Sequence, residues 1–179
     1  QEVKYNRKVD ILFVIDNSLS MDLVQKQLAD QIPHMFDSLQ SLNMDIHIAT
    51  TSTTMNSHFE NIGRLIGEPR YISNETANFL EELKKKIFIG QDGSSIEEGL
   101  SSMAAVLSEK YLATEGKGFL RDDSFLNIIV LSNEDDSSPD GWNFYANFLD
   151  KLRPNHEDGS KSWAMNFFGV LSMQDTCSS

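Results

Sequence analysis

Val9-Asp10-Ile11-Leu12-Phe13-Val14-Ile15-Asp16-Asn17-Ser18-Leu19-Ser20-Met21 is the stretch from which the rest of the chain can be read. Residues 9–15 are apolar or β-branched except for Asp10, as expected of a central parallel strand covered on both faces. That strand runs straight into Asp-x-Ser-x-Ser. One carboxylate and two hydroxyls therefore stand at a strand's carboxyl end, where an open α/β sheet keeps its ligand site. Oxygen-only donors suit a hard divalent cation such as Mg2+, which keeps several waters and takes few protein carboxylates. The same residues also suit a plain strand-to-helix turn, because Ser and Asp cap helices.

Downstream, Val24, Leu28, Ile32, Met35, Phe36, Leu39 and Leu42 recur at helical spacing, which predicts an amphipathic helix from about Met21 to Leu42, kinked at Pro33. Asp45 to Thr51 alternates as a second strand and runs, through Thr50-Thr51-Ser52-Thr53-Thr54, into a polar loop. Residues 55–73 are irregular, with Gly63, Gly67 and Pro69 as breakers and Arg70 to Ser73 as a short edge strand. Helical periodicity returns over Glu75 to Ile87 and Ile96 to Leu107, and again around Tyr145, Phe148, Leu149 and Leu152. Phe125 to Leu131 repeats the buried-strand pattern, and Trp163 to Leu171 reads as a last strand. Strands alternating with helices predict a doubly wound α/β fold, a mostly parallel central sheet with helices on both faces. The whole chain, 1–179, reads as one domain with a core from about 9 to 171.

Composition narrows the functional classes. With 179 residues and 40% hydrophobic content, the chain can bury one sizeable core. The 27 acidic residues outnumber 15 basic ones, and a formal charge of -12 disfavours nucleic acid and anionic lipid as partners. No apolar run approaches the roughly 20 residues that span a bilayer. A start at Gln1, without Met or a basic-then-apolar leader, is that of a processed protein or an excised piece. Cys177 is the single cysteine, so thiolate metal sites and internal disulfides are excluded, and in an exported protein it suggests a partner beyond this chain. The Lys84-Lys85-Lys86 triplet reads as a solvated helix face.

Two further segments carry clustered oxygens: Gly93-Ser94-Ser95, and Ser132-Asn133-Glu134-Asp135-Asp136-Ser137-Ser138 directly after the 125–131 strand. In a parallel sheet all strand carboxyl ends lie on one side, so the three clusters can converge. Together they resemble the von Willebrand factor A-type domain with a metal-ion-dependent adhesion site, over about Val9 to Leu171. That family carries Asp-x-Ser-x-Ser after its first strand, Gly-Thr five residues before Ala-Leu or Gly-Leu, and a Thr-Asp-Gly or Ser-Asp-Glu turn after its fourth strand. Here Asp16, Ser18 and Ser20 fit unchanged. Ser94 takes the threonine position in Gly93-Ser94-Ser95-Ile96-Glu97-Glu98-Gly99-Leu100, and Asn133 takes the aspartate position.

The resemblance implies that Ser18 and Ser20 bind Mg2+ (or Mn2+ or Ca2+) directly. Ser94 would do so directly or through water, and Asp16 and Asn133 mostly through water. A carboxylate on a protein or cell-surface partner would complete the coordination. Ser94 keeps the family's hydroxyl. Asn133 removes a charge, which weakens cation binding and leaves a bound cation more electrophilic, with Glu134, Asp135 or Asp136 as outer compensation. The Leu131-Ser132-Asn133-Glu134-Asp135-Asp136 turn resembles bacterial members, which implies a secreted, cell-surface or periplasmic setting and a non-enzymatic adhesion role.

Other readings stand beside it. Ser94-Ser95-Ile96-Glu97-Glu98 also satisfies a helix capping box. Asp16 with Ser132-Asn133 fits the outline of a haloacid-dehalogenase-like phosphotransferase, although Ser18 occupies the place of its general acid. A metal-free intracellular assembly module of the same family is a third reading. Asp136 to Gly141 begins like a calcium loop, but the twelfth position is Asn147 and not Glu. His34, His47, His58 and His156 have no metal-ligand spacing, and Met103 and Met165 sit on periodic core positions.

Overall fold

The computed structural model describes residues 7–59 and 62–169. Five strands form one sheet: β1 (Lys8–Ile15), β2 (Asp45–Ser52), β3 (Tyr71–Ser73), β4 (Phe125–Leu131) and β5 (Trp163–Phe168), in the order β3-β2-β1-β4-β5. All neighbours pair in parallel except β2 and β3. The helices are α1 (Asp22–Ser41), α2 (Phe79–Ile87), α3 (Gly99–Val106), α4 (Glu109–Leu112) and α5 (Trp142–Leu152). A 3-10 turn, Leu19–Met21, leads into α1. The α/β architecture expected from the sequence is therefore present. Leu171 and Cys177 lie outside the described residues.

The apolar run of β1 is explained by helices on both of its faces. Ile11, Phe13 and Ile15 point toward α1 and α2, where they join Ile32, Phe36, Leu83 and Ile87. Leu12 and Val14 point the other way, to Met103, Val106, Tyr145 and Leu149 of α3 and α5. From Ile11 on, every residue of β1 is at most 3% exposed. The alternate side chains of β4 divide in the same manner, with Ile129 and Leu131 on one face and Leu126, Ile128 and Val130 on the other. At the open edge β5 is covered less well, and Phe167 and Phe168 stay more than half exposed.

Several expected boundaries shift. α1 continues as one helix through position 33. α2 and α3 begin later than periodicity suggests, at Phe79 and Gly99, because residues 75–78 and 96–98 are used in turns that join the loops to β2 and β3. β2 extends to Ser52, one residue beyond the expected end, and the polar run Thr50 to Thr54 is buried, all five residues being at most 2% exposed. The lysine triplet is not uniformly solvated either. Lys86 is 3% exposed and donates to the carbonyls of Ile66, Pro69 and Arg70, while burial pulls its pKa down to about 8.

Asp10, the one acidic residue of β1, is fully buried near the amino end of the sheet. Arg121 neutralises it, donating from its backbone N (2.7 Å) and Nε (2.8 Å), while its Nη1 reaches Asp45 at 2.6 Å. Ser124 donates to the same carboxylate, and Arg153 approaches to 4.0 Å. Removing one partner of a buried pair leaves an uncompensated charge. Arg121→Met is expected to cost about 3 kcal/mol in urea unfolding. A loss below about 1 kcal/mol, the range of exposed ion pairs, would show that Arg121 is not what neutralises Asp10.

Candidate functional site

β1 is the strand at which the winding reverses, with β2 on one side and β4 on the other. Its carboxyl end therefore opens at the switch point of the sheet. The register Ile15↔Leu131 brings residue 16 against residue 132. The backbone N of Asp16 donates to Leu131 O at 2.8 Å, and Ser132 Oγ donates to Asp16 Oδ2, also at 2.8 Å. The other carboxylate oxygen accepts from Ser18 N at 2.8 Å. Asp16 is fully buried and both its oxygens are held by neutral donors. Behind it, the buried Gln25 of α1 donates to the carbonyls of Asp16 (2.9 Å) and Gly90 (3.0 Å) and accepts from Ile89 N (3.1 Å).

In front of Asp16 the predicted donors come together. Ser18 Oγ lies 3.0 Å from Ser20 Oγ, and Ser20 exchanges hydrogen bonds with Asn133, 3.3 Å to Oδ1 and 3.1 Å from Nδ2. Ser94 belongs to the adjacent loop. Its N donates to Thr54 Oγ1 at 3.0 Å, Thr54 donates to Asn17 Oδ1 at 2.9 Å, and Gly93 N donates to Asn17 O at 2.9 Å. A Cβ on Gly93 would clash with Asn17 Oδ1 and stand 2.7 Å from the Asn17 carbonyl, so the two loops approach this closely only because residue 93 is glycine. The capping-box reading of Ser94 does not hold. Its Oγ accepts from Ile96 N at 3.0 Å, a local turn, whereas α3 starts only at Gly99.

The segment after β4 divides by role. Asp135 is exposed. Asp136 ties the segment to α3, accepting from Leu100 N at 3.1 Å and Ser138 N at 3.0 Å, and Ser138 Oγ accepts from Ser101 N at 3.0 Å. Residues 136–138 thus anchor the loop to α3, and Gly141 caps α5 directly afterward. Glu134 lines a cavity of about 220 Å³ with Thr53, Glu97, Ser132 and Asp136.

Glu97, which the sequence reading treated only as part of a cap, is the unexpected member. It is 2% exposed, Thr53 Oγ1 donates to its Oε2, and its Oε1 has no hydrogen-bond partner. Burial pushes its pKa up to about 7. The Thr53 hydrogen bond opposes that shift, and Asp16, Glu134 and Asp136 add to it. No signal in the sequence separates Glu97 from its neighbour Glu98, since either could have turned toward Thr53.

Among the described residues, no group of three or more His, Cys, Asp or Glu is placed to hold a metal ion. The set around Ser18 is of another kind: two hydroxyls, an amide oxygen and one carboxylate behind them. Adjacent ligands of an octahedral Mg2+ at about 2.1 Å are separated by about 3.0 Å, the square root of two times the bond length. The Ser18–Ser20 oxygen separation of 3.0 Å equals that edge, and Ser20–Asn133 at 3.3 Å is slightly wider. Both separations are those of hydrogen-bonded pairs, so it is the type of donor that suits a hard cation.

The raised pKa of Glu97 has a definite thermodynamic sign. Between its ordinary value near 4.5 and about 7 the folded state holds more protons than the unfolded state, so stability falls as pH rises through this window. The loss attributable to Glu97 is on the order of 3 kcal/mol. Urea unfolding in chelator at pH 5 and pH 8 is expected to show that decline in the wild type and a clearly flatter profile in Glu97→Gln. Equal slopes in the two proteins would place the titrating group elsewhere.

No family model matches the chain, and neither does any curated protein. Among solved structures, proximal thread matrix protein 1 from the mussel byssus aligns with a TM-score of 0.55 at 13% identity, covering 90% of this chain and 38% of that one. The open-conformation pilus adhesin SpaC from Lactobacillus rhamnosus GG aligns at 0.40 with 19% identity over 76% of this chain and 16% of its own. For the pilus adhesin RrgA from Streptococcus pneumoniae the values are 0.38, 12%, 82% and 24%. The chain spans less than half the length of each of these structures. What it shares with the mussel protein is the α/β fold.

Proposed function

We propose that this chain is a cation-dependent binding module of the von Willebrand factor A type, which captures a carboxylate on a protein or cell-surface partner. The observation that carries this reading is the meeting of Ser18, Ser20 and Asn133 oxygens at the switch point, with Asp16 fixed behind them. Ser18 and Ser20 would hold the cation directly and Ser94 directly or through water. Asp16 and Asn133 would act mainly through water, with Glu134, Asp135 and Asp136 as outer acidic residues. Bound there, Mg2+ would supply a positive charge that hydroxyl and amide ligands leave largely unneutralised. Ser132 and Gln25 orient Asp16 from behind. The site is built for holding a ligand, in keeping with an adhesive role outside the cell or on its surface. No helix among the described residues is long and apolar enough to cross a membrane.

Calorimetric titration of metal-stripped protein with MgCl2 tests this directly. Wild type is expected to bind, Asp16→Ala and Ser18→Ala to lose the heat, and Asn133→Asp to tighten binding about tenfold, equivalent to about 1.4 kcal/mol. Acetate, the simplest carboxylate, is expected to raise the affinity for Mg2+. By reciprocity Mg2+ raises the affinity for acetate equally, and the effect is smaller in Asn133→Asp. Absence of Mg2+, Mn2+ and Ca2+ binding at millimolar concentration in both wild type and Asn133→Asp would exclude the cation mechanism.

A further inference from the structure

The cavity beside the serine cluster differs from it in chemistry. Its lining grades from Thr53, Glu97 and Ser132, all at most 4% exposed, to the half-exposed Trp142 and Phe167. Between them stand the apolar side chains of Leu100, Val130 and Met165. The acidic groups are Glu97 within and Glu134 and Asp136 nearer solvent. Asp136 already accepts two backbone N–H bonds, while Glu97 keeps one buried oxygen with no donor. A buried polar atom of this sort carries a penalty until a donor reaches it.

From this arrangement we infer that the cavity receives a lysine side chain of a protein partner, its methylene stem against Leu100, Val130, Met165 and Trp142 and its ammonium on Glu97 Oε1. A volume near 220 Å³ lies below the 300 Å³ or so at which pockets for whole small-molecule ligands begin, and so corresponds to one inserted side chain. The apolar wall suits an alkyl stem, which long cationic side chains bury while keeping the charged head solvated or paired. Lysine is favoured over arginine because Thr53 occupies Oε2. The carboxylate thus offers a single free oxygen, which matches a point donor and not a bidentate fork. Trp142 at the mouth adds an aromatic face for the cation as it enters. An octahedral metal finds less here, since apolar side chains make up half the lining and Asp136 is already satisfied. The overall charge of -12 favours a basic partner in addition.

The test uses Nα-acetyl-lysine amide as probe, in EDTA, so that the outcome is independent of cation binding at Ser18 and Ser20. Chemical shifts of the Trp142 indole N–H and the Met165 methyl are followed by NMR. Saturable shifts are expected with the lysine probe. Nα-acetyl-norleucine amide, with the same stem and no ammonium, should bind at least tenfold more weakly, and Glu97→Gln should weaken the lysine probe at least tenfold. Trp142→Ala, a change at a half-exposed position, is expected to fold normally and to weaken binding three- to fivefold. Equal binding of Nα-acetyl-norleucine amide, equal or tighter binding of the arginine analogue, or retention of full affinity in both variants would each overturn the assignment. The magnesium titration is unaffected by any of these results.

Discussion

The parallel pairing of β1 with β4 is the constraint on which the other features depend. Parallel ladders place successive strand ends on the same side, and the Ile15↔Leu131 register sets Asp16 level with Ser132. From that follow the hydrogen bond between their side chains, the approach of Asn133 to Ser20, and the position of Glu134 at the mouth of the neighbouring cavity. The register is held by packing on both faces at once. A shift of one residue along β1 would turn Phe13 and Ile15 from the α1–α2 layer to the α3–α5 layer and displace Leu12 and Val14 in the opposite sense. Site geometry and core packing are two results of one alignment.

The two ends of the sheet treat buried charge differently. At the amino end, Asp10 is met by the guanidinium of Arg121, with Arg153 close by. At the carboxyl end, the buried Asp16 and Glu97 are met by hydroxyls and a backbone N–H group, donors without net charge. A charge neutralised internally serves the fold. A charge held only by dipoles keeps an outward field, which is what an arriving cation responds to.

The parts legible in the sequence were those in which neighbouring residues do the same job. β1 and β4 were readable because burial on both faces leaves a continuous apolar run, and Asp16, Ser18 and Ser20 because they leave the strand together. Asn133 followed from its place after β4. The starts of α2 and α3 were misjudged because side chains before Phe79 and Gly99 fall in helical phase while their backbone groups bond elsewhere. Ser94 met the rule for a cap whose helix starts later. Lys86 and Glu97 escaped because each has a charged neighbour that is more exposed, and only the tertiary structure determines which residue of a Lys or Glu pair turns inward. The burial of the Thr50–Thr54 run was hidden for the same reason: its partners lie far along the chain, as with Thr51 Oγ1, 2.9 Å from Ser102 Oγ.

Gln25 has a mechanical consequence. One amide side chain on α1 grips the Asp16 carbonyl, the Gly90 carbonyl and the Ile89 amide together. A rotation or slide of α1 has to break these bonds or carry both loops with it, so helix and loops move as one stiff unit. Withdrawal of Gln25 would leave the Ile89 amide and the Asp16 carbonyl without this partner at the same moment, although the two residues are more than seventy positions apart in the chain.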